Sequence, residues 1–446
     1  MKRTPLMVLA CAGALPGSAF AQDSMHGMHD HAGMEMNMDV PAPPRTGPAD
    51  HDHAPVPPPS SHGAHQAAAA PRWQDGSGTA RLPGAEGGMH GLMTETAGWM
   101  LMLHGTASAQ YTAASGPRGS DKGYATSMAM ASATGDTAWG RFQVRSMMSL
   151  EPAMRAEGYP NLFATGETAG GQPLVDRQHP HDLFMELSAR LDVNIAPGSS
   201  LFVYGGPVGE PALGPSAFLH RGSARYNPEP PITHHWFDST HITYGLVTAG
   251  LSTPLVQIEG SAFRGREPDE RRWNIESGKL DSWSARATLT PDPHWAIQAS
   301  YGQIKQPEAL HPGEDEHRFT ASVQYDNGHG FAAMAAFSAK QRVPGGTLPA
   351  WLAEANWDMD TANTVFGRIE VVRNDELFPD HSDPLHDEPF TVAKLQAGYA
   401  RRIPLGPVEL ALGGSVATFV RPAALKASYG AMPVQASVFA RFSLGQ

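Results

Sequence analysis

This sequence of 446 residues has almost no cysteine and no long apolar run. Its one cysteine, Cys11, cannot form a disulfide within the chain. No stretch approaches the roughly 18 consecutive apolar residues that a membrane-spanning helix requires. Charged residues make up only 17 %, and 44 acidic side chains against 32 basic ones give a net charge of −12. Without a basic cluster, the chain is expected to have no nucleic-acid partner.

The first 21 residues predict a secretory signal peptide. Lys2 and Arg3 precede an apolar run, and Ala19-Phe20-Ala21 provides a small-x-small cleavage site. Cys11 lies within this segment, so the mature chain is expected to carry no thiol in an oxidising compartment.

Residues 22–98 are low in sequence complexity. Methionine, histidine, aspartate and glycine dominate up to Asp39, prolines follow from Pro41 to Pro59, and alanine and glycine come after. Such a composition buries too little apolar surface to offset the entropy lost on ordering. The segment is therefore predicted to be a disordered arm.

From Trp99 onward, apolar and polar residues alternate one for one in short segments. The clearest runs from Asp182 to Ile195, where every odd-numbered position is apolar and most even-numbered ones are charged or polar. A strand with one apolar face and one charged face lies between two unlike environments. Since strands cross a bilayer only as closed barrels, residues 99–446 are predicted to form an antiparallel transmembrane β-barrel.

The sequence predicts about sixteen strands, with fourteen and eighteen left open. Tight turns such as 134–136 and 196–198 alternate with longer connections such as 151–180 and 209–237. Short turns on one rim and long loops on the other are typical of outer-membrane barrels with both chain ends in the periplasm. The predicted strands start near Trp99, Tyr124, Thr137, Asp182, Ser199, Asp238, Pro254, Leu280, His294, Glu316, Gly330, Leu348, Ala362, Phe390, Gly406 and Met432.

A soluble periplasmic β-sandwich or jelly roll would also alternate with period two. Three patterns favour the membrane barrel. Arginines recur on the polar faces, as expected of a water-filled lumen, and the last strand resembles the C-terminal insertion signal of outer-membrane proteins. In addition, aromatic residues cluster near strand ends, as in an interfacial girdle: Trp99, Tyr124, Trp139, Tyr244, Trp283, Trp295, Tyr301, Trp351 and Tyr399.

The arm is rich in potential metal ligands. Thioether sulfur favours Cu(I), whereas neutral imidazole suits Cu(II), zinc and nickel, so a flexible mixture of both could hold copper in either redox state. The alternative is a low-complexity tail whose ligands are incidental. The predicted ligands are Met25, His26, Met28, His29, His31, Met34, Met36, Met38, His51 and His53.

The segment from Met25 to His65, together with the layout of signal, arm and barrel, resembles the bacterial outer-membrane copper resistance B proteins. The barrel itself, with its sequences 176–182 and 233–241, is more similar to a group of uncharacterised proteobacterial outer-membrane proteins. The resemblance implies copper handling and contact with periplasmic copper-handling proteins.

A second histidine group closes two long connections. His179, His181 and Asp182 precede the fourth predicted strand, and His234, His235 and His241 precede or begin the sixth. Alternation places Asp182 and His241 on the polar faces of those strands. Imidazole and carboxylate side chains meeting at the barrel mouth would form a divalent-metal site. Alternatively, these groups hold the loops together and plug or narrow the pore.

The resulting hypothesis is an outer-membrane barrel with a periplasmic arm, surrounded by lipid, that acts in copper or other divalent-metal tolerance. The alternative is a general porin or solute channel with an incidental arm. A hydrolase built on Ser239 and His241 is disfavoured, because residues two apart on one strand lie about 6–7 Å apart and cannot pair. The chain is therefore not expected to be an enzyme.

Overall fold

The computed structural model describes residues 71–87 and 91–445. Its strands are β1 Trp73–Asp75, β2 Arg81–Pro83, β3 Leu92–Thr96, β4 Trp99–Ala114, β5 Asp121–Thr137, β6 Gly140–Met148, β7 Tyr159–Ala169, β8 Gln172–Gln178, β9 Phe184–Ala196, β10 Ser199–Gly209, β11 Thr243–Ser252, β12 Val256–Phe263, β13 Ser282–Leu289, β14 Trp295–Ile304, β15 Asp315–Asp326, β16 Phe331–Val343, β17 Thr347–Asp358, β18 Asn363–Asn374, β19 Phe390–Leu405, β20 Val408–Val420 and β21 Val434–Leu444. The α-helices are α1 His234–Phe237 and α2 Lys426–Tyr429, and single 3-10 turns lie at Gly84–Glu86, Glu151–Ala153, Phe218–His220, Gly222–Ala224, Ser239–His241 and Ala423–Leu425.

Sixteen antiparallel strands close into a barrel, which confirms the predicted fold class. The wall consists of β4 to β6 and β9 to β21, and it closes where β21 pairs with β4, from Gln435 opposite Ala114 to Leu444 opposite Gly105. The short strand β3 pairs with the first residues of β4, beyond the end of β21. Because β7 and β8 form a separate hairpin, β6 pairs directly with β9.

The predicted alternation of short and long connections is also confirmed. One rim carries tight turns, such as the two residues between β19 and β20, and the other carries the long connections. Two of the long connections fold inward: residues 149–183, called loop A, and residues 210–242, called loop B. Most predicted strand starts lie within about three residues of the observed ones. The fourth and sixth strands begin later than predicted, at Phe184 and Thr243, because the residues before them belong to the two inner loops.

The barrel has an apolar outside and a polar inside. On β10, Leu201 and Val203 are about half exposed, whereas Phe202 and Tyr204 are almost fully buried. An apolar band around a closed barrel is the surface that contacts lipid. None of the described helices is long and apolar enough to cross a membrane.

The predicted aromatic girdle is correct in part. Tyr124 and Tyr244 point into the lumen, because both fall on the inward-facing positions of their strands. Tyr124 instead stacks on Tyr159 of loop A, with ring centroids 4.2 Å apart. The other predicted girdle residues are exposed: Trp99, Trp139, Trp283, Trp295, Tyr301, Trp351 and Tyr399.

The segment that predicts the barrel most clearly, Asp182–Ile195, follows its alternation with one exception. Leu187, Leu191 and Val193 face outward, but Met185 is fully buried. The pairing of β6 with β9 shifts register between Met147 and Met148, which turns Met185 inward. A bulge of this kind cannot be read from alternation alone, because it locally breaks the period of two.

Ion pairs line the lumen, as the arginine pattern predicts. Arg145 lies 2.9 Å from Glu186, and Arg286 lies 2.9 Å from Glu259. Arg190 pairs with Asp192 on the same strand. Buried charges persist only when they are paired and hydrogen-bonded.

The prediction of disorder up to residue 98 is wrong for the described part of that segment. Residues 71–87 form a hairpin, called the N-terminal hairpin, that lies in the lumen at the short-turn rim. Arg81 donates hydrogen bonds to Ser252 Oγ at 2.8 Å and Gln257 Oε1 at 3.1 Å, and it stacks on Trp73. Composition underestimates order here because the barrel wall supplies the burial that the segment cannot supply itself.

Loop B fills much of the remaining lumen. Arg221 Nε donates to Glu354 Oε1 at 2.7 Å, Thr233 N donates to Glu370 Oε1 at 3.0 Å, and Tyr226 OH donates to Glu409 Oε1 at 2.8 Å. Loop B also meets the N-terminal hairpin, where Ser77 and Ser216 place their hydroxyls 3.0 Å apart. The lumen is thus occupied from both rims.

Candidate metal site

Five histidines from the two inner loops meet inside the barrel. His179 and His181 come from the end of loop A, and His234, His235 and His241 come from the end of loop B. All five are at least nine-tenths buried. The convergence predicted from the sequence is therefore observed, and these five residues are called the His cluster.

Trp236 fixes the position of helix α1, which carries two of the five histidines. Its indole Nε1 donates to the carbonyl of Leu348 at 3.0 Å, and its own carbonyl accepts a hydrogen bond from Ser338 Oγ at 2.7 Å. The side chain is almost completely buried, and Lys340 Nζ lies 5.1 Å from its ring centroid. Because Trp236 is bound to two wall strands, the preceding His234 and His235 have a defined place in the lumen.

The imidazole rings are close neighbours. The ring centroids of His181 and His241 lie 5.3 Å apart, and those of His234 and His241 lie 5.0 Å apart. His179 lies 5.6 Å from His235 and 6.3 Å from His181. Two imidazoles bound to one tetrahedral zinc ion have centroids about 5 Å apart, from the usual Zn–N length. The spacing of the rings therefore fits a shared metal ion.

Three of these imidazoles have one nitrogen committed and the other free. Nδ1 of His179 and of His241 donate to the carbonyls of Pro180 and Asp238 at 3.1 and 2.6 Å. Nδ1 of His181 lies 3.0 Å from Glu151 Oε2. The carbonyls fix the tautomer in which Nε2 carries the lone pair, and in all three residues Nε2 is buried without a hydrogen bond. Metal-binding histidines show this arrangement, with the second nitrogen held by a carboxylate or carbonyl.

The protonation of the His cluster also suits metal binding. Burial lowers the pKa of His234 to about 4 and lowers the pKa of His179 and of His241 well below the usual value, and the neighbouring imidazoles add to the effect. These three rings are neutral at pH 7, which is the form that binds a metal.

The other two histidines have carboxylate partners. Burial would lower the pKa of His181 and of His235, but Glu151 and Glu267, respectively, outweigh it and raise both. Nδ1 of His235 lies 3.6 Å from Glu267 Oε1, too far for a hydrogen bond. Glu167 lies beside His179, with Oε1 at 3.1 Å from Nε2 but without hydrogen-bond alignment.

The rings of the His cluster would have to turn before three nitrogens bind one ion. Two other groups of described residues already bring three ligand atoms within 4.8 Å of one another, and the His cluster is not one of them. The terminal torsion of histidine is broad, so such a rotation is inexpensive where space permits. The cluster therefore supplies imidazole nitrogens, three of them on neutral rings, at a spacing that fits a metal ion. Their present orientation does not yet direct three of them at one point.

Asp182 and His241 do not lie on barrel strands, contrary to prediction. His241 ends a 3-10 turn of loop B, and Asp182 precedes β9. The Asp182 carboxylate accepts a hydrogen bond from Arg272 Nη1 at 3.1 Å. Asp182 borders the His cluster and is not directed into it.

The remaining predicted ligands lie outside the described residues. They are the arm residues Met25, His26, Met28, His29, His31, Met34, Met36, Met38, His51 and His53. Ser239, the residue on which a hydrolase would depend, accepts a hydrogen bond from Arg318 Nη1 at 2.8 Å. Its hydroxyl is thus directed towards a wall arginine.

The sequence did not indicate the acidic residues that lie beside the histidines. Glu151 and Glu167 belong to loop A, and Glu267 belongs to the connection between β12 and β13. No spacing rule connects them to the histidines, because the contacts arise only when the loops fold into the lumen. The one available signal was their position in long connections between strands.

No family model matches this chain, and no curated protein matches it. Among solved structures, the chain is similar to OmpF from Salmonella typhi, determined in complex with daunomycin, with 11 % identity, a TM-score of 0.50, and 79 % of this chain and 100 % of that chain covered. An anion-selective porin from Comamonas acidovorans shows 11 % identity and a TM-score of 0.47, with 78 % and 100 % covered. The channel DcaP from Acinetobacter baumannii shows 12 % identity and a TM-score of 0.45, with 80 % and 100 % covered. The likeness to OmpF shows the fold, that of an outer-membrane porin barrel.

Proposed function

We propose that this chain is a porin-type barrel of the outer membrane whose narrowed lumen binds and conveys transition-metal ions, and that it acts in metal tolerance. The observation that carries the proposal is the convergence of His179, His181 and His241. Each has Nδ1 held by a protein acceptor and Nε2 buried without a hydrogen bond, and in His179 this Nε2 lies 3.1 Å from Glu167 Oε1. A buried imidazole nitrogen with no partner costs free energy, and a bound metal would recover it.

Copper is the first candidate among the metals, with zinc and nickel next. Neutral imidazoles accept all three ions. The preference for copper comes from the sequence of the arm, where methionine sulfur accompanies histidine. In this proposal the arm collects metal in the periplasm and the His cluster binds it within the barrel.

A general porin or solute channel with an incidental arm is the second candidate. The porin-type barrel fold and the charged lumen favour it more directly than they favour metal handling. In that case the His cluster serves to hold loops A and B together. The two candidates differ in whether metal changes the current through the barrel.

Metal titration and conductance on the same preparations separate the candidates. The mature protein is titrated with Cu(II) and Zn²⁺ without reductant and with Cu(I) under reductant, beside a His179→Ala/His241→Ala variant. The proposal predicts that the variant loses one tightly bound Cu(II) or Zn²⁺ and that this ion alters single-channel current in the parent. Equal stoichiometry in both proteins, with a current insensitive to metal, would support the general channel instead.

A further inference from the structure

A second group of ligand side chains lies beside the His cluster. Oxygen and nitrogen atoms of His235, Glu267 and Glu308 lie within 4.8 Å of one another, and so do those of Glu308, His311 and Glu376. Nε2 of His311 is 3.6 Å from Glu376 Oε1 and 4.0 Å from Glu308 Oε2. The two triads share Glu308, and together these five residues are called the carboxylate–histidine group.

The carboxylate–histidine group runs from the long-loop rim to the His cluster. Glu267, Glu308 and Glu376 lie in three different connections of that rim, which the barrel topology places outside the cell. His311 is the most accessible member, with its side chain 14 % exposed. At the other end His235 belongs to both groups, and its ring centroid is 5.5 Å from that of His234.

Atoms without a hydrogen bond line the triad of His235, Glu267 and Glu308, in which Nδ1 of His235 and Oε1 of Glu267 lie 3.6 Å apart. Both ring nitrogens of His235 and Oε1 of Glu267 are buried and have no hydrogen bond. His235 is 4 % exposed and Glu267 is 9 % exposed, so water does not satisfy these atoms from bulk solvent. Buried polar groups without partners in a native structure call for an explanation, and an ion is one.

The charge around the carboxylate–histidine group also favours a cation. Two fixed positive charges contact the group, those of Lys340 and Arg342. A third, Arg318, pairs with the neighbouring Glu316. Lys340 Nζ contacts Glu308, and lies 4.0 Å from Glu316 and 3.9 Å from Glu376. Six acidic side chains lie in and around the group beside these three fixed cations: Glu267, Glu308, Glu314, Glu316, Asp375 and Glu376.

We propose that the carboxylate–histidine group binds a divalent cation at the extracellular entrance to the His cluster. Carboxylate and imidazole ligands without sulfur favour Mn²⁺, Co²⁺, Zn²⁺ or Cu(II) over Cu(I). The role as an entrance rests on the proposed function of the His cluster, whereas the site itself does not. Glu308 is the central ligand because it belongs to both triads.

Lys340 competes with the cation in this proposal. Its ammonium group occupies part of the space between Glu308 and Glu376 and neutralises part of their charge. Removing the Lys340 ammonium group leaves the carboxylates with more uncompensated negative charge. At a separation of about 4 Å, their attraction for a bound cation is large even in a polar protein environment. A Lys340→Met substitution should therefore strengthen cation binding, which a purely structural network of ion pairs would not do.

The experiment uses Mn²⁺ and the full mature chain in detergent. Mn²⁺ binds carboxylates well and thioethers poorly, so it reports little on the methionines of the arm. Electron paramagnetic resonance counts free and bound Mn²⁺ for the parent and for Glu308→Gln, Glu267→Gln and Lys340→Met. His386→Ala, in the same connection as Glu376 but outside the carboxylate–histidine group, is the matched control. Retention of the compact barrel on unheated gels shows that each variant is folded.

The expected result is the loss of one bound Mn²⁺ in Glu308→Gln, binding at least tenfold weaker in Glu267→Gln, and no change in His386→Ala. Lys340→Met should bind about tenfold more tightly. Equal Mn²⁺ binding by the parent, Glu308→Gln and Lys340→Met would overturn the proposal. The His179→Ala/His241→Ala variant should keep this Mn²⁺, so a failure of the His cluster to bind copper is distinguishable from a failure of this site.

Discussion

The imidazoles of His181 and His241 lie nearly perpendicular, at 84°, with ring centroids 5.3 Å apart. Each ring has its Nδ1 held by a residue of its own loop. His181 is held by Glu151 of loop A, and His241 by the Asp238 carbonyl of loop B. The carbonyl leaves the lone pair of His241 on Nε2, and in both rings Nε2 is buried without a hydrogen bond. This pair of histidines from two loops is the centre of the proposed metal site.

Replacing Glu151 should weaken metal binding without removing a ligand. Glu151 Oε2 accepts from both the backbone N and the ring of His181, so Glu151→Gln loses the charge that keeps Nδ1 protonated and orients the ring. Loss of such a partner typically costs about 10- to 100-fold in metal affinity. Isothermal titration with Zn²⁺ measures it. Glu157→Gln, an exposed residue of the same loop, should leave the affinity unchanged, and an unaltered affinity in Glu151→Gln would argue that His181 is no ligand.

Deletion of residues 22–70 should abolish most Cu(I) binding and leave the barrel intact. The described barrel begins with the N-terminal hairpin at residue 71, and none of its described contacts needs the deleted segment. Copper stoichiometry under reductant gives the test, with resistance of the barrel to heat in detergent as the control for folding. Undiminished Cu(I) stoichiometry in the shortened protein would reject the proposed role of the arm.

Substitution of Arg81 should release the N-terminal hairpin from the lumen. The Arg81 guanidinium bonds Gln257, Ser252, Thr253 and Thr290, and their loss should cost about 2–4 kcal/mol of hairpin docking. Arg81→Ala is therefore expected to raise single-channel conductance or produce flickering current. Arg155→Ala, at an exposed position of loop A, is the control. Identical current traces for Arg81→Ala and the parent would mean that the hairpin does not restrict the pore.

Acid should loosen loop B through His234. Burial lowers the pKa of His234 to about 4, against 6.5 for an exposed histidine, so the unfolded loop binds more protons between these values. Stability contributed by the neutral ring is present above pH 6.5 and is lost as the pH falls towards 4. His181 and His235 act in the opposite direction, because their pKa values are raised.

A His234→Gln variant isolates the contribution of His234. Hydrogen exchange of residues 210–242, corrected for the intrinsic rate, should accelerate more between pH 7 and pH 5 in the parent than in the variant. The same acceleration in both proteins would assign the acid sensitivity to other groups.

The barrel was predictable because its strands obey a single physical rule. Leu201 and Val203 face lipid while Phe202 and Tyr204 face the lumen, and alternation with a period of two expresses this directly in the sequence. The convergence of the two histidine groups also followed, since both end long connections on the same rim. The sequence did not predict the contacts that segments outside the barrel wall make once they fold into the lumen.

The N-terminal hairpin and the carboxylate–histidine group show why such contacts are not predictable from sequence patterns. Arg81 has its partners more than 170 positions away, and Glu267 meets His235 only because both loops fold inward. Neither contact leaves a periodic or spaced pattern in the sequence. The same holds for Met185, which a single register shift turns from the lipid face to the lumen.

Anomalous X-ray diffraction at the zinc and copper edges, from crystals of the metal-loaded mature protein, shows whether the His cluster holds an ion. We expect a peak inside the barrel within about 2.0–2.1 Å of the Nε2 atoms of His181 and His241, with at least one further imidazole completing the site. A lumen without an anomalous peak, in which both Nε2 atoms remain unbound at saturating metal, would exclude a metal site there.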